Sequence, residues 1–330
     1  VFYPYGGVSA VQQAQMATQT GGNVKVCAVR GNFDDAQTGV KAIFADCQGK
    51  DLHGAMLSSA NSINIGRLAP QVVYYFRAYG DLVKAGRIRL GDKVDFTVPT
   101  GNFGDILAGW FAKCMGLPVG RLVCASNAND VLTEFLRTGR YDRRRPFYKT
   151  TSPSMDILVS SNLERLLYLL SGDAAYVASL MAQLSEQGWY QVSDELLAKL
   201  QESFGCGCCD DAGAAEVIGR VWREHKYLCD PHTAVAWSVA EQLSEELHDT
   251  GAPTVVLSTA SPYKFPAAVL SALGRETGEN EFFMMNELCR ISGVPIPRNL
   301  AGLEGRPVLH KDVIDKDAML DYVLAEVLKK

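Results

Sequence analysis

The chain alternates between short apolar runs typical of strands and longer segments whose apolar residues recur at helical spacing. The predicted strands are Val24–Val29, Lys93–Val98, Arg121–Ala125 and Thr254–Leu257. The predicted helices are Asp34–Cys47, Leu68–Val83, Phe103–Gly116 and Asp130–Arg137, the last capped by Asn129. This order predicts an α/β fold with a mostly parallel sheet wrapped by helices on both faces.

From about residue 160 to about residue 250 the pattern becomes helical. Apolar residues repeat at helical spacing at Leu163, Leu166, Leu167 and Leu170, and again from Val177 to Leu184. We interpret this segment as a helical insertion with loops near Gly172, Gly188 and Gly205. A last helix is expected at Asp317–Lys329.

One strand-to-helix junction carries candidate chemistry. The strand Val94–Val98 ends at Pro99, and either Thr100 or Asn102 can cap the helix that follows. Gly101 and Gly104 allow the backbone to approach a ligand closely, and free N–H groups at a helix N-terminus favour an anion. In such sheets ligands bind beyond the carboxyl ends of the strands. The alternative is an ordinary strand-to-helix turn.

Composition limits the classes of function. With 330 residues, 47% of them hydrophobic, the chain can bury a large core and is long enough for two domains. A net charge of −5 argues against a nucleic-acid surface, and no apolar run approaches the ~20 residues that span a membrane. The basic cluster Arg140–Arg145 is interpreted as an exposed loop, with a phosphate or partner role as the alternative.

Nine cysteines are scattered through the chain, which favours free thiols and a cytoplasmic location. Cys206-Gly207-Cys208-Cys209 is interpreted as a glycine-rich loop between two helices. A metal site with Cys229 or His225 is the weaker alternative, because the spacing matches no common zinc site. No metal is expected.

The full string Val98-Pro99-Thr100-Gly101-Asn102-Phe103-Gly104-Asp105 resembles the phosphate-binding loop of the threonine synthases. Further segments resemble the same family in the same order, over about residues 1–270. They are Tyr3–Ser9, Gly31–Gln37, Ser59–Leu68, Asp230–Ala236 and Ser258–Phe265. Members of that family are pyridoxal-phosphate (PLP) enzymes of fold type II, similar to the tryptophan synthase β subunit.

The resemblance implies roles for particular residues. The PLP-binding residues would be Gly101, Asn102, Phe103, Gly104 and Asp105 at the phosphate, with Ser258 and Thr259 near the pyridine nitrogen. Candidates for the substrate's phosphate or carboxylate are Asn61, Ser62, Asn64, Arg67 and Lys264. The alternative for the asparagines is that they satisfy backbone groups around a tight turn. Ser261 stands where the family often has histidine. His232 is expected in a core or capping role, with a catalytic role as the alternative.

The family's Schiff-base lysine, and the Ser-Gly-Asp-Thr-Gly-like loop that follows it, have no counterpart in these residues. The chain opens at Val1 within a βα unit. We therefore expect a C-terminal portion, incomplete at its N-terminus and inactive alone, whose partner is the missing N-terminal segment of the same enzyme. Residues 1–58 would be the remainder of a smaller α/β domain. Residues 59–330 would be the large PLP-binding domain.

The reaction implied by the resemblance converts O-phospho-L-homoserine and water to L-threonine and phosphate. Two alternatives stay open. One is another fold-type-II PLP enzyme, such as a serine/threonine dehydratase or a cysteine synthase. The other is a fragment that binds an anion without catalysis.

Overall fold

The computed structural model describes residues 1–31, 33–50, 52, 56–59, 61, 62, 64–244 and 251–328, without the side chains of residues 33, 34, 327 and 328. Asn32, Ala60 and Ile63, which belong to the resembling segments, and residues 245–250 of the expected helical insertion lie outside them. The chain forms two compact units. The first unit is Val1–Ser58, Tyr263–Leu270 and Arg275–Lys330, and the second unit is Ser59–Pro262 and Ser271–Gly274.

Within the described residues, strands and helices follow one another in this order. The strands are β1 (Phe2–Pro4), β2 (Cys27–Arg30), β3 (Val94–Pro99), β4 (Val119–Ser126), β5 (Arg140–Asp142), β6 (Trp189–Gln191), β7 (Phe204–Cys208), β8 (Thr254–Val256) and β9 (Val313–Asp315). The helices are α1 (Ala10–Ala17), α2 (Phe33–Asp46), α3 (Ile65–Leu68), α4 (Val72–Lys84), α5 (Gly104–Cys114), α6 (Val131–Thr138), α7 (Leu163–Ser171), α8 (Ala174–Gln187), α9 (Asp194–Ser203), α10 (Asp211–His225), α11 (Pro231–Gln242), α12 (Pro266–Ala272), α13 (Glu281–Ser292) and α14 (Met319–Leu328).

The first unit contains a parallel sheet with the strand order β1-β2-β9. A small core of Val29, Ile43, Cys47 and Met319 packs between this sheet and its helices. The sequence-based division placed all of residues 59–330 in one domain. In the structure the tail from Arg275 joins the first unit, because β9 pairs with β2.

The second unit is built on a sheet with the strand order β7-β4-β3-β8, in which every pairing is parallel. All six residues of β3 are buried, because α4 and α5 pack on one side and α11 contacts the sheet as well. The ring of Tyr75 on α4 meets Phe96 edge-on at 5.0 Å. The predicted parallel α/β fold is therefore confirmed. The exception is the small antiparallel pair β5–β6.

Because the four strands are parallel, their carboxyl ends lie along one edge of the sheet. Thr100 follows β3 and donates its backbone N–H to Ala125 O on β4 at 2.8 Å. The backbone N–H of Leu257, beyond β8, donates to Thr97 O at 3.0 Å. The segments after β3 and β8 therefore leave the sheet side by side.

Three local predictions were wrong. Phe204–Cys208, expected as a loop, is the edge strand β7, since it pairs with β4 from Phe204 to Cys208. Asn129 does not cap α6; Asp130 occupies that position, and the Asn129 amide donates to Tyr148 O instead. The helix predicted to begin at Leu68 begins at Val72, after a 3₁₀ turn that contains Pro70.

The hydroxyl of Thr97 on β3 is buried and has no hydrogen-bond partner among the described residues. Thr97→Val keeps the shape of the side chain and removes this unpaired hydroxyl. We expect it to raise the free energy of unfolding by about 1 kcal/mol in urea denaturation, because an unpaired buried polar group destabilises the folded state.

Thr133→Val is the matched control for Thr97→Val. The Thr133 hydroxyl is also buried, but it donates to Gly207 O at 2.8 Å. Its removal is expected to lower the free energy of unfolding by about 1 kcal/mol. Equal destabilisation by the two variants would contradict our assignment of Thr97.

Candidate functional site: an amide-lined loop at the carboxyl edge of the sheet

The loop between β3 and α5, Gly101–Gly104, presents backbone amides that the protein leaves unpaired; we call it the glycine loop. No side chain among the described residues caps α5, whose N-cap residue is Phe103. The backbone N–H groups from Gly101 to Gly104 have no acceptor in the part of the chain that the structure describes. Because the positive end of a helix dipole lies at the same place, the loop favours an anion.

The carbonyl groups of the glycine loop are bonded on its other side. Ser160 Oγ donates to Gly101 O at 3.1 Å. Asn162 donates to Asn102 O twice, from its backbone N–H at 3.2 Å and from its side-chain amide at 2.8 Å. Because its carbonyls are bonded and its amides are not, the loop presents the positive partial charge of its N–H groups to a ligand.

Phe103 shapes the loop by adopting a left-handed backbone conformation, with a φ of 59°. This conformation costs a non-glycine residue about 1 kcal/mol or more. The buried ring of Phe103, which lies 5.7 Å from the ring of Phe204, offsets that cost. Thr100 and Asn102, the two expected caps, do not cap α5; the Thr100 hydroxyl donates to Val98 O instead.

Neighbouring atoms leave too little room for a side chain at either glycine of the loop. A Cβ atom on Gly101 would lie 2.5 Å from Ser154 O, and one on Gly104 would lie 3.0 Å from Ser62 Cβ. Any larger residue would therefore displace the loop or the segment behind it.

The Asn102 side chain adds an unused polar atom to the site. Its carboxamide oxygen is buried and has no hydrogen-bond partner among the described residues. Buried polar groups are rarely left unpaired unless a ligand or water completes them. Free amides and a free acceptor together suit a ligand that carries both an anionic group and a hydrogen-bond donor.

Asp105, in the first turn of α5, directs its side chain at a neighbouring helix. The Tyr75 hydroxyl donates to Asp105 O at 2.8 Å and to the carboxylate at 3.2 Å. Burial raises the pKa of Asp105 to about 6, and the hydrogen bond from Tyr75 opposes that shift. Of the groups predicted to hold the phosphate, this carboxylate is the least suited, because its charge would repel an anion.

Ser258 and Thr259, beyond β8, lie at the same edge of the sheet. Ser258 Oγ accepts a hydrogen bond from the Tyr227 hydroxyl at 3.1 Å and lies 3.2 Å from Thr233 Oγ1. Thr259 is exposed, and its hydroxyl has no hydrogen bond to any residue that the structure describes. Thr259 therefore remains available to a ligand.

The residues of the predicted substrate block have different surroundings. Ser62 is tied to the glycine loop, since the Asn162 amide that holds Asn102 O also donates to Ser62 Oγ at 2.9 Å. Asn64 caps α3 by accepting from the Gly66 N–H at 2.8 Å. Asn61 accepts from Ser59 Oγ at 2.6 Å, and Arg67 is exposed.

The remaining candidate of that set, Lys264, belongs to the first unit, where its carbonyl accepts from Ser9 Oγ at 3.3 Å. Of the five candidates, Ser62 contacts Asn162, which also holds the glycine loop.

Sequence reasoning missed the segment before α7. Asn162 is fully buried, and Arg165 donates to Ser62 O at 2.9 Å, so this segment fixes both the loop and Ser62. The signal was present in Ser160-Ser161-Asn162, a run of cap-forming residues directly before the apolar repeat that begins at Leu163.

The basic cluster is largely neutralised. Arg140 and Arg144 pair with Asp142, and Arg140 also lies 4.0 Å above the ring of Trp189. Arg145 pairs with Asp130 and Glu134. This arrangement favours the interpretation as a structural surface over a phosphate site.

The described residues contain no group of three or more histidine, cysteine or acidic residues that could hold a metal ion. In the same part of the chain, no helix is both long enough and apolar enough to cross a membrane.

Asp105→Asn tests the electrostatics of the first turn of α5. A carboxyl group whose pKa is raised on folding binds its proton more tightly in the folded state, so its contribution to stability is lost as pH rises from about 4 to about 6. The asparagine variant has no such titration. Between pH 4 and pH 7 the free energy of unfolding of the wild-type chain should fall by about 2 kcal/mol relative to that of Asp105→Asn. Urea denaturation measures this difference.

The control for this titration is Asp81→Asn, which removes an exposed carboxylate from α4 in the same unit. Asp81 pairs with Arg77 at the surface, where an ion pair contributes less than about 1 kcal/mol, so this variant should differ little from the wild type in stability. A pH-independent difference for Asp105→Asn would contradict the raised pKa.

Comparison with known proteins gives consistent matches. The sequence profile of the family described as "Threonine synthase, C-terminal" matches residues 233–323. "Threonine synthase-like 1" of Homo sapiens is 42% identical over 294 residues, which cover 86% of this chain and 39% of that protein. "Threonine synthase" of Pseudomonas aeruginosa is 43% identical over 273 residues, covering 82% of this chain and 56% of that protein.

Solved structures give the same result. The crystal structure of PLP-bound threonine synthase from Brucella melitensis has a TM-score of 0.80 and 40% identity, and the match covers 99% of this chain and 64% of that one. Threonine synthase from yeast has a TM-score of 0.81 and 33% identity, with the same two coverages of 99% and 64%. The chain thus spans less than two thirds of the length of the relatives it matches.

Proposed function

We propose that this chain, which is related to the threonine synthases by sequence and by fold, binds PLP at the carboxyl edge of its second-unit sheet. The observation that carries the proposal is the glycine loop, whose carbonyls are bonded and whose amides are free. A phosphate group matches four consecutive N–H donors without acceptors, and the free Asn102 oxygen can accept from the cofactor's hydroxyl. The PLP-bound relative supports this choice of ligand.

When bound, PLP supplies an electron sink that stabilises negative charge on the α-carbon of an amino-acid substrate. The chain's own contribution is to bind and orient. Gly101–Gly104 would hold the phosphate, and the free hydroxyl of Thr259 would face the pyridine nitrogen. Because a hydroxyl is neutral, it holds that nitrogen in place without keeping it protonated as a carboxylate would.

We infer that the protein containing this chain is a threonine synthase, which converts O-phospho-L-homoserine and water to L-threonine and phosphate. Among the candidates for the substrate's phosphate or carboxylate, Ser62 has the strongest support, because Asn162 and Arg165 fix it beside Gly104. Asn61, Asn64, Arg67 and Lys264 remain candidates of lower rank. A cytoplasmic location stays a prediction.

We also propose that none of the lysines of this chain forms the covalent bond to PLP. Lys93 precedes β3, whereas the site follows that strand. Lys113 lies in the last turn of α5 and donates to Gly120 O at 3.0 Å, while the site is at the first turn. Over the 11 residues of α5 these two turns are about 15 Å apart.

Two alternatives are less well supported. A serine/threonine dehydratase or cysteine synthase would use the same kind of phosphate loop, but relatives that are 42% and 43% identical to this chain carry threonine synthase names. Release of phosphate from O-phospho-L-homoserine discriminates the two classes. A fragment that binds an anion without catalysis would also have the glycine loop, and it would release no phosphate in any assembly.

Gly101→Ala tests the phosphate site. Its new Cβ would lie 2.5 Å from Ser154 O, so the loop must shift and its four amides lose their common direction. We expect non-covalent binding of PLP, followed by absorbance and by phosphorus NMR, to weaken at least tenfold. Gly80→Ala is the control, since a Cβ there meets nothing within 4 Å, and it should bind PLP like the wild type. Equal binding by the two variants would contradict the assignment.

Borohydride reduction tests the proposal about the lysines. We expect the 330-residue chain, mixed with PLP and reduced, to keep its unmodified mass at the equivalents of PLP that saturate the non-covalent site. A stoichiometric pyridoxyl adduct at a single lysine would overturn this proposal and identify a substitute for the family's lysine.

A further inference from the structure

The start of α11 contains a buried pair of ionisable side chains outside the glycine loop. Asp230 and His232 are only 1% and 2% exposed. Asp230 caps α11 by accepting from the His232 and Thr233 N–H groups, and the same carboxylate lies 2.9 Å from His232 Nδ1. Burial alone would raise the pKa of Asp230, but the hydrogen bonds from His232 and Thr233 outweigh burial and leave the pKa lowered.

The other nitrogen of His232 fixes its tautomer. Ser154 donates its backbone N–H to His232 Nε2 at 3.2 Å, so Nε2 carries no proton. Nδ1 must then carry the proton and donate it to Asp230. The ring therefore joins the Asp230 carboxylate to the backbone of a distant loop.

That distant loop is the segment behind the glycine loop. Ser154 O and Met155 Cα are the nearest atoms to the position of a Cβ on Gly101, at 2.5 and 3.2 Å. A shift of Ser154 towards the strands would press on Gly101, and a shift away would open a gap behind it. The position of Gly101 therefore depends on the hydrogen bond from Ser154 to His232.

A second branch runs from Asp230 to the end of β8. The Thr233 hydroxyl contacts the Asp230 carboxylate and lies 3.2 Å from Ser258 Oγ. The Tyr227 hydroxyl also donates to Ser258 Oγ, at 3.1 Å. This series of contacts reaches Ser258, the residue directly before Thr259.

We propose that Asp230 and His232 are positioning residues, which set the glycine loop and the Ser258–Thr259 turn at a fixed separation. The two ends of the proposed cofactor, its phosphate and its pyridine nitrogen, would be held by these two places. In this sense the inference rests on the proposed function. Neither residue needs to touch the ligand.

Two conservative variants of His232 separate its two bonds. His232→Gln places a carboxamide oxygen near the position of Nε2 and can still accept from the Ser154 N–H. His232→Asn places its amide near the position of Nδ1, so it keeps the contact with Asp230 and loses the one with Ser154. Both variants retain the backbone N–H that Asp230 caps.

The first readout is binding of PLP, and of inorganic phosphate as a probe of the loop alone. We expect His232→Gln to bind within about threefold of the wild type and His232→Asn to bind about tenfold more weakly, which is the effect of about one hydrogen bond. Thermal unfolding of both variants accompanies this measurement. Equal weakening in both, in proportion to their loss of thermal stability, would overturn the positioning role.

The second readout needs no ligand. The Ser154 amide should exchange its hydrogen with solvent at least tenfold faster in His232→Asn than in the wild type, and at a rate close to the wild type in His232→Gln. Slow exchange in both variants would overturn the inference. If the wild type fails to bind either ligand while exchange behaves as expected, the proposed function fails and the positioning of the loop stands.

Discussion

The candidate site depends on the separation of backbone donors from backbone acceptors at the end of β3. Ser160 and Asn162 hold the carbonyls of Gly101 and Asn102 from one side, and no described residue takes the amides on the other. A buried backbone amide without a partner is costly, so such an arrangement persists where a ligand completes it. The left-handed Phe103, the close packing of Gly101 and Gly104 and the fully buried Asn162 all follow from holding this loop in one conformation.

The sequence predicted the central fold because its strongest patterns are local. The strand β3, all of whose residues are buried, could be recognised from its periodicity. The helix after the glycine loop could be recognised from its own periodicity and from Gly101 before it. β7 could not, since Phe204–Cys208 contains two glycines and no β-branched residue; it is a strand because β4 offers a free edge. Tertiary pairing overrode the local preference there. At Pro70 the cause is local, since the 3₁₀ turn that contains this proline precedes α4.

The site was predicted in part, for a similar reason. A motif contiguous in sequence, such as Gly101–Gly104, signals its own chemistry, whereas Asn162, Ser154 and His232 act through contacts across about 60 to 80 residues of chain. No spacing rule links such positions. In the block from Asn61 to Arg67, Asn64 caps a short helix, and Ser62 is held by Asn162 and Arg165, which lie about 100 residues further along the chain.

The central claim is that the amides of the glycine loop bind the phosphate of PLP. The most direct measurement is a titration of the nitrogen-15-labelled chain with PLP and with inorganic phosphate, followed by the backbone amide resonances. We expect both ligands to produce their largest downfield shifts at Gly101, Asn102, Phe103 and Gly104, and PLP alone to shift Ser258 and Thr259 as well. Shifts centred on the Arg140–Arg145 cluster, or none at the glycine loop at saturating ligand, would contradict it.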